Sequence, residues 1–414
     1  MTTNYQRKIW RVLALILLLA VPAPAAIARH HKAKHQKKVD ALRTVHKKKL
    51  DLIEGVLIER DDRAQTGKLE GTVLEDRGSE YKFNPASTLK IATGLWALSA
   101  YGTPSYTYPT NIFAVGKIDT ASNTLHGDVY VQGCNPVFRA EDAQKILDGL
   151  HKQGIDSVTG SLIVSKRFTM GFYSTGKQAG NLLLGELSPM QKVQHGKRKR
   201  VRWEHGGIRF KNVKEGNPPP EAEPFLELKS APLVDVLKVM SCYSINPVAD
   251  NIGTTLGGPK KLAEFLTETF NLDKDEVSFS STSGLYQNRI STHAMMKILL
   301  AFNDKLQASG LTLSDVLPVA GEDQGTLHDR FTSEEARQSV IAKTGTLSGL
   351  SALVGETNTK NGPVWFVIFE QHGAIPSLHV RQEDIVEKIQ QEQGGPAKFD
   401  YRPRALIFEY WPHR

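Results

Sequence analysis

The sequence of 414 residues predicts a protein of mixed helix and strand with room for two domains. Three observations carry this. The run ASTLKIATGLWALSA (86–100) is apolar nearly all round, as a helix buried on every side requires. SVIAKTGTLSGLSALVGE (339–356) and PVWFVIFEQ (363–371) are strand-like runs separated by the turn TNTKNG, so they read as a hairpin. The body that follows the N-terminal stretch exceeds about 350 residues, more than a single core usually holds.

Taken in order, the chain opens on Arg7, Lys8 and Arg11, the apolar run VLALILLLA and the small-residue stretch PAPAAIA. That order is a signal peptide over residues 1–28, with cleavage expected after Ala25 or Ala28. Its apolar core is too short to span a bilayer comfortably. The protein is therefore expected to be exported, to the periplasm or the cell wall. Residues 1–50 hold 12 Lys and Arg against Asp40 alone, whereas the remainder holds 40 against 43 acidic residues. The net charge of +8 is thus a property of the tail, chiefly RHHKAKHQKKVDALRTVHKKK. We read 29–50 as a basic disordered arm. An exported chain does not meet the genome, so nucleic acid is excluded as a partner. Weak contact with anionic membrane or wall polymers is the expectation.

Ser87 and Lys90 come next. S-x-x-K occurs three times, at Ser79, Ser87 and Ser174, but Ser79 lies in the polar run EDRGSEYK and Ser174 beside glycines in GFYSTGK. Only Ser87 heads an apolar helix, entered through Asn84-Pro85. Positions i and i+3 share a helical face, so the Lys90 amine reaches the Ser87 hydroxyl. Apolar surroundings disfavour the charged amine, and a neutral lysine can take the serine proton. A lysine on a core helix can also merely snorkel to solvent. Two further strings, each present once, tip the reading toward chemistry: Ser244-Ile245-Asn246 and Lys343-Thr344-Gly345. The second lies on the first strand of the expected hairpin, where Gly345 would let a ligand approach the backbone. Lys343 and the hydroxyls of Thr344 and Thr346 would face that ligand.

In this order the strings resemble those of the penicillin-recognising serine enzymes, which carry S-x-x-K, S-D-N and K-T-G. The chain looks most like the class C low-molecular-mass penicillin-binding proteins, the D-alanyl-D-alanine carboxypeptidases and endopeptidases. FNPASTLKIAT (83–93), LHGDVYVQGCNP (125–136), VTGSLIVSKRF (158–168), SGLYQNRIS (283–291) and LPVAGEDQGTLHDRF (317–331) carry that closer match. The chain departs from the family pattern at Ile245, where aspartate is usual, at Asn135, where an acidic residue is common, and at Ser281-Thr282, where Asp-Gly is common.

The resemblance implies an α+β fold of the serine β-lactamase/transpeptidase type. An antiparallel sheet flanked by helices would pack on a helical lobe, with a smaller inserted domain. The peptidase domain would comprise 51–104 and 229–414, and the insert 105–228, because 156 residues separate Ser87 from Ser244. NIFAVGKID, GDVYVQG and GSLIVSKRF would supply the insert's sheet. Ser87, Lys90 and Ser244 are then the implied catalytic residues. Asn246, Lys343, Thr344 and Thr346 would bind substrate, and the Ser87 and Thr346 N–H groups would hold the oxyanion. The implied partners are peptidoglycan peptides ending in D-Ala-D-Ala and β-lactams as inhibitors, with no metal or organic cofactor.

Two rival readings stand beside this one, a β-lactamase-like hydrolase and a catalytically silent peptidoglycan-binding protein. The balance between carboxypeptidase and endopeptidase stays open. Cys134 and Cys242 are expected to be buried free thiols. The basic cluster Lys192, Lys197–Arg200 and Arg202 reads as a solvated loop. Tyr410 and Trp411 lie in a terminal stretch beyond the resemblance.

Overall fold

The computed structural model describes residues 53–63, 71–171, 176–188 and 206–408. The expected signal peptide, the basic arm, the 192–202 cluster, Ser174, Tyr410 and Trp411 lie outside the described residues. The described chain forms, in order, β1 (Ile53–Arg60), β2 (Thr72–Arg77), a 3-10 turn (Ala86–Leu89) and α1 (Lys90–Tyr101). Next come β3 (Pro109–Asp119), β4 (Thr124–Gly133), α2 (Ala140–Lys152), β5 (Ser157–Val158), β6 (Leu162–Val164), α3 (Gly176–Leu187), β7 (Val213–Glu215) and β8 (Leu226–Lys229). The chain continues through α4 (Leu233–Cys242), α5 (Asn246–Leu256), α6 (Pro259–Phe270), β9 (Val277–Ser278), β10 (Arg289–Ile290) and α7 (Thr292–Gln307). It closes with β11 (Val340–Leu347), β12 (Leu350–Thr359), β13 (Gly362–Gln371) and α8 (Ile375–Glu392).

The first sheet is antiparallel and five-stranded, in the order β11-β12-β13-β1-β2. Alternate side chains of a strand point to opposite faces, and here both faces are covered. Leu57, Ile341, Val354 and Val367 pack into the helical lobe with α1, α4, α5 and α7. Their neighbours Val56, Ile58, Ala342, Leu353 and Ile368 pack with Val386 and Ile389 of α8. This explains why β13 reads as an unbroken apolar run instead of alternating. Helix α1 is the spine of the lobe, with every residue from Lys90 to Leu98 buried. Its leucines and Ile91 each contribute about 1.5–3 kcal/mol through burial, which offsets the cost of carrying Lys90 into the same interior. Gly102, in the left-handed conformation at φ 75°, ends the helix.

The second sheet runs from Pro109 to Lys229 in the order β7-β6-β4-β3-β8, with β5 also against β4. It has its own core, built on Ile112, Leu125, Val129, Ile146 and Leu183. Helices α2 and α3, unanticipated in this segment, supply Ile146 and Leu183 to it. GSLIVSKRF is strand only over Leu162–Val164. At Ser165 the hydroxyl turns to the Gly133 carbonyl at 3.1 Å, and Phe168 N–H closes a turn back onto the Ser165 carbonyl. Both cysteines are free, Cys242 buried and Cys134 only half-buried. Among the described residues no helix is long and apolar enough to cross a membrane.

Candidate active site

The three motifs meet between the helical lobe and the outer strand β11. Ser87 sits in the 3-10 turn ahead of α1, directly after Ala86, whose φ of 46° is unusual for alanine. That strained turn is clamped from two sides. A Cβ at Gly284 (φ 91°) would lie 1.8 Å from the Ala86 carbonyl oxygen, so only glycine fits there. A Cβ at Gly345 would meet the Pro85 oxygen at 2.8 Å and Ala86 Cβ at 3.1 Å. Gly345 therefore admits the serine-bearing turn against the strand, where the sequence suggested room for a ligand.

Lys90 Nζ lies 2.9 Å from Ser87 Oγ, 2.7 Å from Asn246 Oδ1 and 2.7 Å from the Ser283 carbonyl oxygen. Two of these neighbours are oxygens that only accept, and the third is a hydroxyl that can also donate. A neutral amine has two protons and one lone pair, which is the set this site accommodates. Burial pushes the Lys90 pKa well below the usual lysine value; Lys343 pushes in the same direction, and Asp250 opposes. Asp250, unremarked in the sequence, stands four residues after Asn246 on α5. It accepts from the Ser283 N–H at 2.9 Å and the Thr282 N–H at 3.1 Å. It thus presents the Ser283 carbonyl to Lys90, and its i, i+4 spacing from Asn246 was the signal available for it.

Ser244 occupies the left-handed region at φ 56°, on the turn between α4 and α5. Its Oγ is 3.1 Å from Lys343 Nζ. The intervening Ile245 side chain is 2% exposed and packs into the lobe core. Its residue type is thus set by packing, which accounts physically for the absence of aspartate. Thr282 has a similar account, since its hydroxyl donates to the Ala249 carbonyl at 3.0 Å and its side chain fills the space left by Gly253.

Lys343 is fully buried and donates to the Thr344 carbonyl at 2.7 Å. Burial lowers its pKa to about 7. Strand β11 is at the sheet edge, and Ala342 N–H bonds outward to the Pro318 carbonyl at 3.2 Å. Alternation along the strand then aims the N–H groups of Thr344 and Thr346 to the same outer edge. Thr346 is exposed. Thr344 is buried, with its hydroxyl donating to Thr326 Oγ1 at 2.6 Å, so it does not face an open edge as the sequence suggested. Thr326 was not singled out as a site residue, because nothing local to it points at residue 344.

Ser79, the rival serine, lies in a turn after β2, and its motif partner Lys82 is paired instead with Asp275. Among the described residues, no group of three or more His, Cys, Asp or Glu is placed to hold a metal ion.

Comparison with known proteins places this arrangement. Residues 62–171 and 193–390 match the D-Ala-D-Ala carboxypeptidase 3 (S13) family. Carboxypeptidase DacB of Mycolicibacterium smegmatis is 30% identical over 166 residues, covering 36% of each chain. The chain thus spans little more than a third of that curated relative's length. Two solved structures share the fold. The peptidoglycan endopeptidase Bd3459 of Bdellovibrio bacteriovorus superposes with a TM-score of 0.69 at 20% identity, over 87% of this chain and 97% of its own. Penicillin-binding protein 4 (dacB) of Haemophilus influenzae gives 0.65 at 19% identity, over 85% and 99%. Ser87, Lys90, Ser244, Asn246 and Lys343 all fall inside the two matched stretches, and the chain belongs to the D-Ala-D-Ala carboxypeptidase 3 (S13) family.

Proposed function

We propose that this chain is a serine D-alanyl-D-alanine carboxypeptidase or endopeptidase that cuts peptidoglycan stem peptides through an ester on Ser87 and is inhibited by β-lactams. The observation that carries the reading is the buried Lys90 amine, shared between Ser87 Oγ and two oxygens that only accept. Neutral Lys90 takes the Ser87 proton as Oγ attacks the carbonyl between the two D-alanines. The N–H groups of Ser87 and Thr346 hold the oxyanion. Ser244, beside Lys343, passes a proton to the leaving amine, and the free amide of Asn246 orients the peptide. Water then cleaves the ester. We assign 105–228 as an inserted domain on its separate core. Export to the periplasm or cell wall follows from the substrate.

The test is direct. A peptide ending in D-Ala-D-Ala should release D-alanine, its L-Ala-L-Ala counterpart should not, and penicillin should stop the release. No release from the D-peptide or from purified wall material would end the proposal in favour of a silent wall-binding protein. Rapid turnover of penicillin, in place of a trapped adduct, would favour a β-lactamase.

A second expectation concerns Lys343, which anchors the peptide's terminal carboxylate by a charge-assisted bond. With a pKa of about 7 in the free protein, it loses its charge as pH rises. A bound carboxylate favours the charged form, so binding draws a proton onto Lys343. KM for a peptide with a free C-terminus should therefore rise above pH 7, by up to about tenfold per pH unit. A KM flat from pH 6 to 9 would exclude this linkage.

We extend the proposal to the basic stretch 29–49, outside the described residues, as a tether to anionic wall or membrane polymers. Attraction of this kind is screened, with a Debye length of about 8 Å at physiological ionic strength. A variant beginning at Asp51 should hydrolyse small peptides normally but bind sacculi less at low salt, the difference vanishing near ~0.5 M salt. Unchanged binding would remove the tether.

A further inference from the structure

A second buried lysine lies behind the site. Lys238 on α4 is held by Asp323 Oδ2 at 2.7 Å and by the Ser314 and Leu317 carbonyls at 2.8 Å each. The side chains of Lys238 and Asp323 are 3% and 2% exposed. Buried ion pairs hold only when their remaining lone pairs are filled. Here Asp323 Oδ2 also takes the Val319 N–H at 2.8 Å, and Oδ1 takes the Tyr401 hydroxyl at 2.6 Å.

Tyr401 comes from the segment after α8, which the sequence left without a role. This segment crosses the body as a strap. Ala397 N–H bonds the Asn358 carbonyl, Phe399 N–H bonds the Gln338 carbonyl, and the Gln338 amide donates back to the Phe399 and Tyr401 carbonyls. Arg404 then clamps Asp235 and Asp315, each at 3.0 Å. Tyr401 is thereby delivered to the ion pair from 78 residues beyond Asp323 and 163 beyond Lys238.

Asp323 lies in the loop Pro318–Thr326, which braces both halves of the site. Thr326 N–H bonds the Cys242 carbonyl at 2.9 Å, two residues before Ser244, and a Cβ at Gly325 would lie 2.0 Å from that same oxygen. Thr326 Oγ1 takes the Thr344 hydroxyl, and the Pro318 carbonyl takes the Ala342 N–H. Cys242 is itself buried, and burial pushes its thiol pKa up.

We propose that Tyr401 is a positioning residue: by completing the Lys238–Asp323 pair it holds the 318–326 loop on Cys242 and β11, and so sets the carboxylate-binding end of the cleft at Lys343 and Ser244. The inference rests on the acyl-transfer reading above. Its signature is selective, because Ser87 and Lys90 are held by other elements, α1, α5 and the Ser283 loop.

The experiment compares acylation of the full chain by benzylpenicillin and by its carboxyl methyl ester, in wild type, Tyr401→Phe and Asp323→Asn. Tyr401→Phe keeps the ring and its packing, and Asp323→Asn keeps the shape while removing the charge. The acid-to-ester rate ratio should fall about tenfold in Tyr401→Phe, the scale of one lost bond to a charged group, and further in Asp323→Asn. The ester rate should stay within about twofold. An unchanged ratio in both variants, or an equal slowing of acid and ester, overturns the inference while leaving the acyl-transfer reading intact. A wild type that benzylpenicillin does not acylate overturns that reading and this inference with it.

Discussion

Ser87→Ala should lose all covalent labelling by fluorescent penicillin, a fall of at least about a thousandfold, as expected when the nucleophile of a catalytic set is removed. Ser79→Ala should label like wild type. The contrast is built into the structure. Ser87 Oγ has a buried amine 2.9 Å away, whereas the lysine three residues after Ser79 is engaged by Asp275. The substitution removes one small hydroxyl from a turn held by Gly284, Gly345 and the Thr88 N–H bond to the Pro85 carbonyl, so folding should be unaffected. Intact-mass measurement after penicillin treatment reads the result. Label retained by Ser87→Ala would displace the nucleophile to another residue.

Lys90→Arg should slow acylation by roughly three orders of magnitude or more. The physical reason is protonation. Burial, then Lys343, lowers the Lys90 pKa, which favours the amine with a free lone pair facing Ser87. A guanidinium cannot be deprotonated in proteins and offers only donors. It could still satisfy Asn246 Oδ1 and the Ser283 carbonyl, yet it could not take the serine proton. The same pKa predicts that wild-type acylation falls as acid protonates Lys90, since the depressed pKa sets the lower edge of the active range. Stopped-flow acylation of wild type and variant, with thermal melts run alongside, separates chemistry from folding. Near-normal acylation by a well-folded Lys90→Arg would exclude Lys90 as the base.

How far the site was legible follows from the range of the interactions that make it. Ser87 and Lys90 are one helical turn apart, and the apolar run around them marks a buried helix, so their meeting could be read locally. The placement of Lys343 on a strand followed in the same way from β-branched neighbours and a turn. Gly345 was read as admitting a ligand, whereas the groups that approach it are the Pro85 carbonyl and Ala86 Cβ, from more than 250 residues earlier, and no local pattern names them. Ile245 looked like a missing carboxylate, whereas its side chain is directed into the lobe core. Thr344 looked available to ligand until Thr326 was found against it.

The helical pairing of Ser87 with Lys90 and the strand under Lys343 are legible in the chain alone, because each depends on residues within a turn or a strand of one another. Tertiary structure alone decided which oxygens surround the Lys90 amine, that Asp250 presents the Ser283 carbonyl, and that Tyr401 closes the Lys238–Asp323 pair. These depend on low-dielectric burial and on partners 33 to 193 residues apart, a separation over which side-chain pattern carries no register.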